Sequence, residues 1–179
     1  DHSLIVIDAP VRDAGTATLK VEKNLWNYLP KISRTIRVPP SMMMGSWMGS
    51  DLTNDDLVRR TSYEEDYDAQ LLEETAETWK VRVDAKPDVI GLWNRVDMIF
   101  SKKDRMPLQA QFYDRKDRLS RTMRFEDIKT ITGRRIPMHI TIIPEREEGR
   151  STEVIYHHVE FNVQLDDNLF SLSRLERKR

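Results

Sequence analysis

LWNYLPKISRTIRVPPSMMMGSWMGSDLTNDDL, running from Leu25 to Leu57, is the stretch from which the rest of the chain is read. Between Leu25 and Val38, the residues Trp26, Tyr28, Ile32, Ile36 and Val38 are spaced by basic and polar side chains. β-Branched and aromatic residues in rough period-2 alternation mark strands, here broken near Pro30. Pro39-Pro40 ends the pattern, because neither residue can donate to a β-ladder. Met42, Met43, Met44, Trp47 and Met48 follow, punctuated by Gly45 and Gly49. Asp51 or Thr53 is placed to cap a short helix over Leu52 to Arg60, and Asp55 and Asp56 suit its positive N-terminus.

A loop this rich in Met and Trp needs a reason, since loops lie on the surface and these side chains are costly to leave in water. One reading folds the loop back as a lid over the core. The other makes it an adaptable apolar binding surface, because Met is unbranched and polarizable. Both hold together if the loop lines the mouth of a cavity.

Outward from this stretch, strands recur. Ser3 to Asp8 and Thr16 to Glu22 precede it. Gln70 to Glu74, Thr78 to Val83, Trp93 to Phe100, Leu108 to Tyr113, Leu119 to Ile131, Met138 to Ile143 and a last long strand, Thr152 to Val163, follow it. Charged turns separate them, at Lys86-Pro87-Asp88, Ser101 to Arg105, Asp114 to Asp117, Thr132 to Arg135 and Glu145 to Ser151. The acidic run Glu64 to Asp68 lacks the spacing of a calcium loop and reads as a solvated connection. The expected fold is mainly β (α+β): an antiparallel meander forming a barrel or a strongly curved sheet, with few helices.

The chain has 179 residues, enough for one domain with a core of its own. A net charge of −1 supplies no global basic field for nucleic acid. The absence of cysteine excludes disulfides, thiol catalysis and zinc–thiolate sites. No apolar run approaches the roughly 20 residues of a transmembrane helix. The chain opens on Asp1 with a strand already under way, so a processed or truncated chain is expected.

Motifs for chemistry are missing. His157 and His158 are adjacent, so in a strand they face opposite sides and cannot share a metal. His139 with Glu145 lacks a third ligand. Ser46 and Ser50 sit beside glycines, but the run is not G-x-S-x-G, and Gly45 to Gly49 lacks the Lys of a phosphate loop. No catalytic residue, metal site or cofactor is expected. Lys31, Arg34 and Arg37, with Arg59-Arg60 further on, form either a solvated face or a docking surface for anionic headgroups or an acidic partner. Arg134-Arg135 and the tail Arg174 to Arg179 read as solvating.

The opening stretch resembles the LolA-like family of outer-membrane lipoprotein-sorting proteins. Members carry W-x-Y-L-P, then a basic strand, then G-S-F-M-G-[ST]-D and a following D-L. Here these are Trp26, Tyr28, Leu29, Pro30, then Gly45 to Asp51, and Asp56-Leu57. Trp47 stands where Phe is usual, and Met42 to Met44 replace a run that is more often polar. Weaker likeness continues through Trp93 to Phe100, Met106 to Asp117, Phe161 to Val163, Leu169-Phe170 and Leu175 to Arg177.

The resemblance implies a single domain over 1–179, following a removed signal peptide and a helical N-terminal segment. It implies an incomplete curved barrel whose concave face is covered by short helices and receives acyl chains. It further implies a periplasmic carrier of lipid or acylated lipoprotein, with an inner-membrane transporter as a partner, and no enzyme. Ligand contacts are expected from Trp26, Tyr28, Met42, Met44, Trp47, Met48 and Leu52, and from Phe112, Ile140 and Ile142. The competing reading is a periplasmic protein-interaction module, accessory to an envelope transporter, that uses the Met/Trp loop to dock peptide.

Overall fold

A computed structural model of the chain describes residues 2–58, 66–87, 89 and 93–176. The chain divides into two compact units, Asp1–Arg60 with Val163–Arg179, and Thr61–Asn162.

In the first unit, β1 (His2–Val6), β2 (Ala17–Val21), β3 (Asn24–Leu29) and β4 (Arg34–Arg37) pair antiparallel in sequence order. Pro30 breaks the pattern as expected: β3 ends in a single 3-10 turn over Pro30–Ile32, and Ser33 reverses the chain with a left-handed φ of 48°. Alternation sorts the side chains into two faces. Leu4, Leu19 and Trp26 lie in one cross-strand row, and Val6, Ala17 and Tyr28 in the next. Phe170 and Leu175, from a 3-10 turn (Asp167–Phe170) and α2 (Leu172–Glu176), pack against this face. Thr18, Lys20, Leu25 and Asn27 belong to the other face. The segment after β4, including α1 (Asn54–Val58), lies against that second face, as the site geometry below details. Both faces are covered, so Ala17 to Lys20 are all buried.

The second unit is a seven-stranded antiparallel sheet in the order β11-β10-β9-β8-β7-β6-β5. Its strands are β5 (Tyr67–Glu74), β6 (Thr78–Ala85), β7 (Arg95–Ser101), β8 (Pro107–Tyr113), β9 (Leu119–Ile131), β10 (Arg134–Pro144) and β11 (Thr152–Ile155). Each strand pairs with its neighbour in sequence, so the expected meander is present. Pairing irregularities at Leu71/Glu73, Ile99/Phe100 and Phe112/Tyr113 bend the strands. The longest hairpin, β9–β10, turns through Thr132 and Gly133 with φ of 50° and 78°. Positive φ at both central residues is the geometry of a two-residue turn that matches strand twist.

Neither sheet closes on itself: β1 and β4 are the edges of one, β11 and β5 of the other. The fold is mainly β, with two open antiparallel sheets and a few short helices, and a closed barrel is not formed. One strand also differs from expectation. Thr152 to Val163 is strand only as far as Ile155. Tyr156 N still donates to Met138 O at 2.8 Å, and from His157 onward the chain is no longer strand. Beyond that point the chain leaves the sheet. Asp1, Arg59-Arg60, Glu64-Glu65, Asp88 and Arg177 to Arg179 lie outside the described residues.

The face of the large sheet opposite its apolar side is charged. Arg82 on β6 lies directly across from Asp97 on β7, and its Nε and Nη2 donate to the two carboxylate oxygens at 2.8 and 3.0 Å. Asp97 is 8% exposed. The Arg82 hydrogen bonds hold its carboxyl below the ordinary 3.8, against the opposing effect of burial. A carboxyl depressed in the folded state adds stability above its unfolded pKa, and that stability is lost as pH falls through the folded value. Asp97→Asn should therefore lower unfolding free energy by about 2 kcal/mol at neutral pH. The deficit should shrink steadily as urea titrations are repeated below the ordinary carboxylate pKa. A deficit of constant size down to acid unfolding would assign the loss to packing instead.

Candidate functional site

The Met-rich loop is fastened at several points. Trp47 Nε1 donates to Thr18 Oγ1 at 3.0 Å, and that hydroxyl donates on to Asn27 Oδ1 at 2.8 Å. Trp47 N bonds Leu52 O at 2.7 Å, closing a short bridge between Ser46 and Thr53. Ser46 Oγ and Ser50 Oγ donate to Ser50 O and Trp47 O, each at 2.6 Å. Both hydroxyls thus brace a turn. Asn54, 7% exposed, donates through Nδ2 to Met42 O and Gly45 O at 3.1 and 3.3 Å. Thr53 caps α1: its Oγ1 accepts from Asp56 N at 3.1 Å, and Asp56 Oδ2 accepts from Thr53 N at 2.8 Å. This reciprocal arrangement is a capping box with Asp in the acidic place. Of the two caps expected, Thr53 is the one used.

The fastened loop leaves its methionines outside. Met42 is 60% exposed, Met48 42% and Met44 40%, while Trp47 and Leu52 are half-buried. Met48 has a left-handed φ of 53°, followed by Gly49 at 77°. A non-glycine residue there costs about 1–2 kcal/mol, so the turn holds an apolar tip in water under strain. Gly45 is needed for another reason: a Cβ there would stand 3.1 Å from Met42 O, the carbonyl that anchors the loop.

The expected contact residues fall into three groups. Met42, Met44, Trp47, Met48 and Leu52 belong to the loop, which is bonded to the Thr18 face of the first sheet. Trp26 and Tyr28 point to the opposite face, where Tyr28 is buried among Ala17, Leu19 and Leu175. The sheet itself separates them from Trp47.

Phe112, Ile140 and Ile142 belong to the second unit and share one face of its sheet. That face is built of cross-strand apolar rows. Val83, Val96 and Phe112 form one; Val81, Met98, Ala110, Met123 and Ile142 form the next; Phe125, Ile140 and Val154 form a third. Ile142 and Phe112 are buried, and Met123, Phe125, Ile140 and Val154 are half-buried.

Sequence reading missed three residues that matter here. Thr18 and Asn54 anchor the loop, yet each looks like an ordinary strand or cap residue. Arg121 lies on the apolar face, buried, with its guanidinium 4.4 Å from the Phe112 ring centre and 4.6 Å from that of Trp93. Its signal was available in the alternation of β9, where it takes the position next to Met123 on the same face.

The other candidates are surface features. His157 and His158 are exposed, and His158 Nε2 lies 2.9 Å from Glu160 Oε1. His139 lies between Glu126 and Glu153, at 4.0 and 3.5 Å, while Glu145 accepts instead from Thr122 at 2.9 Å. Among the described residues, no group of His, Asp and Glu is arranged to hold a metal ion. No helix among them is long and apolar enough to cross a membrane. An open depression of about 490 Å³, lined by Asp166, Asn168, Leu169, Ser171, Ser173 and Arg174, is too polar for an acyl chain.

Two open antiparallel sheets with short helices are a fold with solved counterparts. A DUF1329 family protein from Desulfovibrio piger matches 97% of this chain over 76% of its own length, at 28% identity and a TM-score of 0.89. A domain from Vibrio parahaemolyticus named for outer membrane lipoprotein sorting matches 97% over 77%, at 24% identity and 0.85. A LolA superfamily protein from Nitrosomonas europaea matches 97% over 78%, at 22% identity and 0.75. The chain thus shares its fold with a LolA superfamily protein, and the resemblance read from Trp26 to Leu57 holds at the level of fold. A family model described as an uncharacterized protein matches residues 1–177, and the chain belongs to that family. No curated protein matches the chain.

Asn54→Ala removes both side-chain bonds that tie the loop to α1. It should cost about 1–3 kcal/mol and speed hydrogen exchange at the Gly45, Asn54 and Asp55 amides, leaving β9 and β10 protected. Unchanged exchange at those three amides would show that the turn stands without its asparagine.

Proposed function

We propose that this protein is a non-enzymatic periplasmic carrier that shelters the acyl chain of a lipid or acylated lipoprotein bound for the outer membrane. The observation that carries the reading is the set of apolar rows on the large sheet, above all the half-buried strip Met123, Phe125, Ile140 and Val154. An extended acyl chain laid along such a strip gains about 0.8 kcal/mol per buried CH₂. Phe112, Ile140 and Ile142 are the contacts on this sheet. The fold shared with a LolA superfamily protein and with a domain named for lipoprotein sorting supports the same reading.

Affinity from burial alone would make release slow, so a carrier needs a second state with less apolar contact. In the first unit, the loop carrying Met42, Met44, Trp47, Met48 and Leu52 exposes three methionines, Met42, Met44 and Met48, and it serves as the gate. Trp26 and Tyr28 remain ligand contacts in this proposal only if the face they share opens. An inner-membrane transporter would supply the cargo, and export of the chain would place it in the periplasm.

The first test is native mass spectrometry of protein purified from cells, followed by organic extraction. A co-purifying acyl species is expected. Ile140→Asp, at a half-buried position, should weaken uptake of a fluorescent fatty acid at least tenfold in a folded variant. Met44→Asp with Met48→Asp should weaken it as well. A clean apo mass with no uptake by the wild type would overturn the carrier reading.

A further inference from the structure

We propose that one face of the first unit docks on the surface of an anionic phospholipid bilayer. Ile36 and the tips Met42, Met44 and Met48 enter the headgroup boundary, and Lys31 and Arg34 meet the lipid phosphates. The proposal stands whether or not the second unit's sheet carries an acyl chain.

Register brings the parts together. Ile36 pairs with Asn27, and Asn27 pairs with Thr18, so the three share a face, and Arg34, two residues from Ile36, shares it too. Trp47 is bonded to Thr18, which puts the methionine loop on the same face. Strands lie about 4.8 Å apart, so Ile36 stands two strands, or about 10 Å, from the loop's anchor. Ile36 is 47% exposed, and Ile32, at the foot of the same strand, is 57% exposed. Arg37 is left out: it points to the other face, and its guanidinium donates to Asn24.

Charge selects the occupant. Between Glu22 and Asp51 the sequence holds no acidic residue, and Lys23, Lys31, Arg34 and Arg37 are basic. Lys31 and Arg34 are exposed. The acids that bound this run are Glu22, exposed at the β2–β3 turn, and those past the far end of the loop, which are engaged within the chain: Asp56 caps Thr53, and Asp51 and Asp55 also have partners. Cations flanking isolated apolar tips are the pattern of interfacial binding to anionic lipid. A protein partner would need a recess for each protruding methionine, whereas a bilayer surface adapts to them. The hydrogen bonds of Asn54, Ser46 and Ser50 hold the tips ready, so docking requires little ordering of the backbone.

The test is flotation of the intact, lipid-stripped protein with vesicles of phosphatidylcholine alone or with a third of the lipid as phosphatidylglycerol. Flotation is expected only with the anionic vesicles, falling as salt rises and screening shortens. Each cation near the surface contributes about fivefold in partitioning, so Lys31→Glu with Arg34→Glu should weaken flotation tenfold or more. Met42→Ser with Met44→Ser and Met48→Ser should weaken it at unchanged charge. All five positions are outside the core, and circular dichroism checks that both variants are folded. Absence of flotation at low salt overturns the proposal and leaves an acidic protein as the partner of this face. Flotation that neither variant weakens overturns it too. Protein that stays at the bottom of the gradient bearing extracted lipid reports carriage without docking, which overturns this proposal and leaves the carrier reading standing.

Discussion

Four consecutive residues of β2, Ala17 to Lys20, are buried, which is possible only for a strand covered on both faces. This constraint organises the first unit. Ala17 and Leu19 need an apolar cover, and the C-terminal Phe170 and Leu175 provide it. On the other side the Thr18 hydroxyl donates to Asn27 and accepts from the indole of Trp47, whose ring shields the strand. The Thr18 hydroxyl keeps its bond to Asn27 in any case, so the bond from Trp47 is first of all an anchor of the loop. The exposure of Met42, Met44 and Met48 follows: Trp47 turns in, and its neighbours are left outside.

The large sheet obeys a different constraint. Between its pairing irregularities the strands alternate, so register decides which side is apolar and which is charged. The Arg82–Asp97 pair and the row Val81, Met98, Ala110, Met123, Ile142 are products of the same register on opposite faces. A slip by one residue between β6 and β7 would bring Val side chains against Asp97 and bury Arg82 among the apolar rows. The ion pair adds to register specificity because only one alignment brings the guanidinium opposite the carboxylate.

Much of this was legible in the sequence. Alternation located the strands before and after the opening stretch, Pro30 gave the break between β3 and β4, and Thr53 was one of the two caps offered for the helix start. What escaped reading depends on partners distant along the chain. The last strand was overextended because nothing in its own residues marks that pairing with β10 ends at Tyr156. The contact residues were read as one set because Trp26 and Trp47 look alike on paper. Cross-strand register puts Trp26 with Leu19, while a hydrogen bond puts Trp47 with Thr18, and a strand's two faces cannot share a ligand. Arg121 was passed over because a cation in an apolar row is noticed only when its aromatic neighbours, Trp93 and Phe112, are known.

The C-terminal cover of β2 also sets an order of assembly. As the chain emerges from a ribosome, β1 to β4 come before the second unit, and Leu19 can pair with Leu4 and Trp26 at once. Leu175 arrives only after the whole of the second unit has passed. The meander from β5 to β11 forms contacts between sequence neighbours and can add strand by strand with small loop-closure cost. The four-stranded sheet has no such freedom: its apolar side, with Trp26 and Tyr28, stays bare until Phe170 and Leu175 are delivered. During that interval the young protein exposes a greasy sheet of its own, and a holding chaperone has its clearest target there.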